Sequence, residues 1–294
     1  MKLDLKALQK KIHKMYADEI TALGEEGTLR HLERGLAWDL SGTLSAGGVL
    51  VFPHITISDC AYQIAACAQA CLDSGADRVI VISVLHAFDD AMDASRHRVA
   101  DGSDPSVEPW WGIQGPGIDG REEWRGDHAL VNWRYIWEAE VKRRGLAENK
   151  VPEVIERYPY LAAGQPDKLP GIEALRKIAR DAVVVSTADP FHHGIGYGDS
   201  KEDASQPDEA GLQRARGMIE EAIAYLEKGD YPGYQQSCIR AKSDARDSGQ
   251  VYRYLRGPMK GEIRDLTYSD ATGLYDQPPP TWVAGALIEW TPVD

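Results

Sequence analysis

Three apolar runs in this chain end on histidine: Gly48–Val49–Leu50–Val51–Phe52–Pro53–His54, Arg78–Val79–Ile80–Val81–Ile82–Ser83–Val84–Leu85–His86, and Ala182–Val183–Val184–Val185–Ser186–Thr187–Ala188–Asp189–Pro190–Phe191–His192–His193. Each run is rich in β-branched residues and reads as a buried strand. In open α/β sheets, ligands collect in the crevice beyond the carboxyl ends of the strands, so histidines distant in sequence can meet there. Neutral imidazole is a common ligand for Fe, Zn and Cu, and two histidines plus one carboxylate on one face of a metal leave positions open for substrate and O₂. His54 and His86, read as the ends of adjacent strands in one βαβ unit, are the first two candidate ligands. The competing reading is a hydrogen-bonded histidine at a strand end. Of His192 and His193, one faces the cleft and the other away. A histidine beside a metal that does not bind it can move protons; otherwise it caps a loop. His128 sits at a helix start, where the dipole disfavours its protonation and suits a hydrogen bond to a substrate oxygen. His13, His31 and His97 lie in polar contexts and read as surface residues.

These side chains need a scaffold. Residues 3–36 place Leu5, Leu8, Ile12 and Tyr16 at helical spacing and predict one or two helices on the domain edge, within an N-terminal helical segment 1–40. Ser58–Asp59 caps a helix that runs to about Leu72 and ends at Gly75, completing a strand–helix–strand unit with parallel strands. Residues 87–126 look irregular, with interspersed Gly, Pro and Asp, and carry Trp110, Trp111 and Trp124. A loop this long is functional or disordered, and its tryptophans favour a lid or pocket wall, or else an oligomer contact. A helix is expected from Asp127–His128 to Gly145, a proline-punctuated stretch over 150–172, and a short helix over Ile172–Ala179. Residues 198–209 read as a polar surface loop, and Leu212–Lys228 as an amphipathic helix. Tyr231–Arg256 reads as helical with a break around Asp247–Ser248–Gly249, and the chain closes with strands over Ile263–Tyr268 and Trp282–Trp290.

Composition narrows the function classes. An apolar share of 43% supports a core, and a net charge of −13 without a basic patch argues against nucleic acid or an anionic membrane as partner. No apolar run approaches the roughly 20 residues of a membrane span, and the N-terminus lacks the apolar core of an export signal, so a cytoplasmic protein is expected. The four cysteines, Cys60, Cys67, Cys71 and Cys238, form no CxxC pair and read as buried small apolar residues. There is no GxGxxG after a strand, no Walker loop, no HExxH and no GxSxG elbow, which leaves metal chemistry as the sharpest option.

The ordered motifs resemble the Memo-like family, related in fold to the class III extradiol ring-cleaving dioxygenases. Pro53–His54 is similar to the family's Pro-His-Ala-Gly-Tyr strand end, and Ile82–His86 to its Leu-Gly-Pro-Ser-His. Ser186–Gly194 is similar to its Ser-Ser-Asp-x-x-His-x-Gly, and Asp127–His128 to its mid-chain Glu-His. Leu266–Ser269 and Trp282–Leu287 resemble its closing motifs. The resemblance runs from residue 48 to the C-terminus. It implies a single domain over 1–294 with a central, mostly parallel β-sheet flanked by helices. It puts His54 and His86 in the histidine-ligand positions and His192 in an acid/base position beside them. Aligning the family's Cys-Gly-Arg-His-Pro-Ile-Gly-Val on Asp244–Val251 puts Asp244 in the third ligand position, with Asp247 or Ser243 as alternatives. Ile55–Thr56–Ile57 and Val84–Leu85 depart from the family pattern, as does the Trp-rich segment.

The expected activity is a non-haem Fe(II) dioxygenase that opens the ring of a catechol or aminophenol with O₂, in a chain that can form a homo-oligomer. His192 and His128 are the catalytic candidates. Trp110, Trp111, Trp124, His193 and Tyr268 are the candidates for substrate contact. The alternatives are a non-catalytic Memo-like protein that binds metal or peptide, and a metal-dependent hydrolase working through an activated water.

Overall fold

The computed structural model describes residues 4–118, 120 and 122–293. Met1, Lys2 and Leu3, which open the N-terminal segment, lie outside them. The elements are α1 (Leu5–Gly35, broken at Gly24), α2 (Ser41–Ser45), β1 (Val49–Phe52), α3 (Ile57–Asp73), β2 (Arg78–Ile82), α4 (Asp90–Ala100), β3 (Gly112–Gln114), α5 (Val131–Arg144) and β4 (Glu153–Tyr160). Then follow α6 (Ile172–Ala179), β5 (Val183–Thr187), β6 (Phe191–Gly194), α7 (Glu209–Glu227), α8 (Tyr231–Ala241), α9 (Arg246–Arg256), β7 (Met259–Asp270), α10 (Thr272–Tyr275) and β8 (Thr281–Pro292).

One sheet runs in the order β3-β4-β2-β5-β1-β8-β6, with β7 paired to β8. The four central strands, β4, β2, β5 and β1, are mutually parallel; β3 pairs antiparallel with β4 at one edge, and at the other β8 pairs antiparallel with β1 and with β6 and β7. Strands buried on both faces read as continuous apolar runs, and their period of two divides those runs between two cores. Leu50, Phe52, Val79, Val81, Val183 and Val185 pack with α3, α5 and the end of α1 on one face. Val49, Val51, Ile80, Ile82 and Val184 pack with α6, α7, α8 and α9 on the other. Phe52, the last residue of β1, is fully buried and stacks on Trp133 with centroids 4.8 Å apart. It anchors the strand end that carries His54, and truncating such a side chain costs about 3–5 kcal/mol.

Several expectations need correction. β1 and β2 are parallel but not adjacent, because β5 lies between them. The third His-bearing run is split in two: β5 meets the other two directly, while His192 and His193 lie on β6, which pairs antiparallel with β8. Residues 87–126 contain α4, whose N-cap Asp89 accepts hydrogen bonds from the Ala91 and Met92 amides, and the short strand β3. Local aspartates that looked like loop residues were caps. The stretch 150–172 contains β4; Pro159 is tolerated because it sits where β4 has left β2 and pairs only with the edge strand β3. The break in the helical stretch 231–256 comes at 242–245, where Lys242 adopts a left-handed φ of 52°, whereas Asp247–Ser248–Gly249 lies inside α9. Gly145 ends α5 in the left-handed conformation as expected of a C-terminal glycine. All four cysteines are buried and free. No helix among the described residues is long and apolar enough to cross a membrane.

Candidate metal centre

The centre is built at the carboxyl ends of β1, β5 and β2. Phe52 pairs with Thr187 at the end of the β1–β5 ladder, so the next residues of both strands emerge side by side. The His54 amide donates to Asp189 Oδ1 at 2.9 Å, and His54 Nδ1 lies 3.0 Å from Thr187 Oγ1. The Tyr16 hydroxyl, from α1, donates to the His54 carbonyl. Beyond β2, the His86 amide donates to Asp127 Oδ2 at 2.7 Å, and its Nδ1 lies 3.1 Å from the same oxygen. Asp127 Oδ1 also accepts from the Ala129 amide at 2.8 Å, which ties the His86 support to the entry of α5. In both histidines Nδ1 is held by the protein, which leaves Nε2 to face inward, the arrangement by which supporting groups orient metal-binding imidazoles.

Asp244 closes the set from the break between α8 and α9. Its Oδ1 accepts the Asp189 amide at 2.7 Å. Its Oδ2 lies 3.1 Å from His54 Nε2 and 3.6 Å from His86 Nε2, yet has no hydrogen bond among the described residues. Two ligands at about 2.1 Å from a metal and about 90° apart stand about 3.0 Å from each other. The spacing is thus that of atoms sharing a cation. Two overlapping groups have ligand atoms within 4.8 Å of one another: His54, His86 and His128, and His54, Asp189 and Asp244. A buried carboxylate oxygen without a donor, facing two imidazole nitrogens, fits a divalent metal of the kind bound by mixed His/carboxylate sets.

The buried acids draw positive charge to this cluster, as protons on the histidines or as a metal ion that displaces them. Burial works against charge on His86, but Asp127 and Asp244 outweigh it and lift its pKa to about 10. For His54, burial is likewise overcome by Asp189 and Asp244, and the pKa rises. Burial opposes ionisation of Asp244, yet His54 and His86 hold it below the usual carboxylate range. Asp189 is pushed up to about 6, chiefly by burial. His128 goes well down through burial and the neighbouring His86, on which its ring stacks at 4.2 Å. Burial brings His192 down to about 4.

A cavity of about 480 Å³ opens on this group, in the size range of small-molecule sites. His54, His86, His128, His192 and Asp189 line it, and α1 forms one wall through residues including Gln9 and Tyr16. His128 Nδ1 lies 3.1 Å from Gln9 Oε1. His192 meets Tyr197 edge-on at 4.8 Å, and its buried Nδ1 has no hydrogen bond among the described residues.

The sequence candidates are thus divided. His54, His86, Asp244, His128 and His192 are brought together. Asp247 is turned away, its Oδ1 accepting the Ala162 amide at 2.7 Å, and the Ser243 hydroxyl donates to the Asp189 carbonyl at 3.3 Å. His193 is not at the cavity, because β6 alternates its side chains and sends it to the face opposite His192. Its Nδ1 lies 2.7 Å from Asp199, and its Nε2 accepts the Ser205 amide at 3.0 Å. Trp110, Trp111 and Trp124 do not wall the cavity either: Trp110 and Trp124 are buried in the α3/α5 core and Trp111 packs partly buried against it, their bulk spent on covering the sheet. Tyr268 is 39% exposed, packs edge-on to Trp282 on β8 and lies off the cavity. His97 is exposed as expected. His13 and His31 are not plain surface residues: His13 Nε2 lies 2.8 Å from the Gly126 carbonyl and His31 stacks on Tyr62.

Sequence reasoning missed Asp189, Asp127, Thr187, Tyr16 and Gln9 as parts of the centre. An acid two residues past a strand, as in Asp189, and an acid directly before a candidate histidine, as in Asp127, were available signals. Nothing local marks Tyr16 or Gln9, whose role depends on where α1 docks. No family model matches the chain, and no curated protein matches it in sequence.

Proposed function

We propose that the chain is a non-haem Fe(II) dioxygenase that opens the ring of a small electron-rich aromatic of the catechol or aminophenol type, with His54, His86 and Asp244 holding the metal. The observation that supports this most is Asp244 Oδ2, buried, without a donor and within 3.6 Å of both inward-facing Nε2 atoms. Two histidines and one carboxylate form the facial set of oxygen-activating iron sites, and the ordered motifs resemble those of ring-cleaving relatives. The chemistry such an ion supplies is Lewis acidity towards a ring heteroatom and electron exchange with O₂.

The protein's own groups do the rest. His192, uncharged at neutral pH because burial brings its pKa down to about 4, offers an imidazole nitrogen to a ring hydroxyl proton and can return it later. His128 is kept neutral by burial and by His86. Its Nδ1 faces Gln9 Oε1, which assigns the proton to Nδ1 and leaves Nε2 as an acceptor for a substrate hydroxyl. Tyr16 and Asp189 clamp the carbonyl and amide of His54 and fix the ring's approach. Ile55 and Leu8 on the cavity wall limit water around the reacting ring.

The test is anaerobic loading with Fe(II), followed by O₂ uptake with a panel of catechols and aminophenols. We expect about one iron per chain and uptake that depends on the aromatic, with product heavier by both oxygen atoms. Iron bound without uptake across the panel would contradict the reading, and zinc bound with oxygen-independent hydrolysis would replace it.

A further inference from the structure

Asp244, the proposed carboxylate ligand, stands two residues beyond a left-handed lysine to which the ring-opening chemistry gives no task. α8 ends at Ala241, and Lys242 turns the chain with φ 52° and ψ 27°. Its amide donates to the Ile239 carbonyl at 3.1 Å, and the Ser243 amide to the Cys238 carbonyl at 2.8 Å. These are the two hydrogen bonds of a helix end that glycine ordinarily makes. A residue with a Cβ is disfavoured in that conformation and glycine is not. Such backbone persists where the surrounding structure over-determines it, and it gathers near functional sites.

The side chain supplies what a glycine would lack. Lys242 Nζ donates to Asp199 Oδ1 at 2.5 Å, and the two side chains are only 33% and 16% exposed, so salt screens this pair less than a surface pair. Asp199 is in turn fixed to the end of β6. Its Oδ2 accepts the Gly194 amide at 2.7 Å and lies 2.7 Å from His193 Nδ1, and its amide donates to the Gly194 carbonyl at 3.2 Å. Gly194 is itself pressed against the chain before β8: a Cβ there would meet the Pro280 carbonyl oxygen at 2.1 Å. On its other side the turn reaches the end of β5 through longer contacts. The Asp244 amide is 3.4 Å from the Asp189 carbonyl, and the Ser243 hydroxyl 3.3 Å from the same oxygen. The ion pair is thus a short, partly buried tether between the strand that carries His192 and the turn that carries Asp244.

Resting on the metal centre of the reading above, we propose that Lys242 is a positioning residue. Through Asp199 it locks the α8–α9 turn to β6, and so holds Asp244 Oδ2 against the Nε2 atoms of His54 and His86.

The test uses the full chain with Lys242→Gly, which accepts the left-handed turn but removes the tether, and with Asp199→Asn, which removes the charge at its other end. In anaerobic Fe(II) titrations by calorimetry each variant should bind about tenfold more weakly than the wild type, and the double variant no more weakly than either single one. Lys242→Arg should recover most of the affinity. The urea unfolding midpoint of Lys242→Gly should stay at the wild-type value, because glycine relieves the turn as the ion pair is lost. A lysine that only stabilised the fold would instead lower the midpoint and leave the affinity alone. Metal-free protein with ¹⁵N-labelled histidines gives a readout without iron: losing the tether should move the His54 Nε2 resonance, since Asp244 Oδ2 lies 3.1 Å from it. Wild-type Fe(II) affinity in Lys242→Gly would overturn the role of Lys242 and leave the metal centre standing. Failure of the wild-type chain to bind Fe(II) would overturn the metal centre, and an unmoved His54 resonance in Lys242→Gly would then overturn the role of Lys242 as well.

Discussion

His192 and His193 are neighbours in sequence and opposites in use. On one face of β6, His192 looks into a cavity lined by His54, His86 and His128, and beside it Asp244 Oδ2 lies 3.1 Å from His54 Nε2 and 3.6 Å from His86 Nε2. On the other face, His193 has both nitrogens satisfied: Nδ1 by Asp199, and Nε2 by the amide and hydroxyl of Ser205. Asp199 is itself held by the Gly194 amide and by Lys242. The order Ser205–His193–Asp199 has the outline of a nucleophile–base–acid line, but the Ser205 amide occupies the nitrogen that a base would need, and none of the three lines the cavity. A satisfied buried network rigidifies; the carboxylates around His54 and His86 instead attract positive charge, which protons or a metal ion can supply. That contrast separates the proposed chemistry from the scaffold.

It also orders the expected effects of substitution. Replacing His54, His86 or Asp244 by alanine should remove the metal and reduce ring opening by more than about 10³-fold, read by metal analysis and O₂ uptake. His192→Ala should lower turnover by about 10²–10⁴-fold while metal content stays at the wild-type level, which separates proton transfer from metal binding. Asp127→Asn, which weakens the support of His86 Nδ1, should cost about 10–100-fold in metal affinity by calorimetry.

His193→Gln should leave ring opening at the wild-type level and lower stability by about 1–2 kcal/mol in urea unfolding. Its pH signature is distinct. Burial depresses the His193 pKa in the folded state below its unfolded value of about 6.5. The folded state then binds fewer protons than the unfolded one. The stabilisation is present above about pH 6.5 and falls away as pH drops through that value towards the folded pKa. His193→Gln should flatten this part of the stability profile, measured as unfolding midpoints at about pH 5 and about pH 7.5. Unchanged slopes would mean that the His193 network carries no buried neutral imidazole.

Much of this was legible in the chain because the strands are short, apolar and β-branched, and β1 and β2 each lead to a histidine just past their ends, whereas the third run splits into β5, which leads to Asp189, and β6, which carries His192 and His193. The helices α3, α5, α6 and α7 followed from spacing, but the expected starts did not: α3 begins at Ile57, ahead of Ser58–Asp59, and α5 at Val131, beyond Asp127–His128, and neither has a side-chain cap. What escaped was decided by tertiary placement. The insertion of β5 between β1 and β2, which brings Asp189 to His54, leaves no local mark. Asp244 was reached only through resemblance, because its position depends on a left-handed turn at Lys242 that no glycine announces. The tryptophans were misplaced for the opposite reason: their Gly- and Pro-rich surroundings looked like a lid, while Trp110 and Trp124 are drawn into the core by their apolar area. Tyr16 and Gln9 belong to a helix whose pattern predicts its form and not its docking site.

The most direct measurement is anaerobic Fe(II) titration of the wild-type chain and of Asp244→Ala, followed by calorimetry. If Asp244 Oδ2 and the two Nε2 atoms share a metal, the wild type binds about one ion per chain and the variant binds at least about 100-fold more weakly. Equal stoichiometry and affinity in the two proteins would contradict the assignment of the centre.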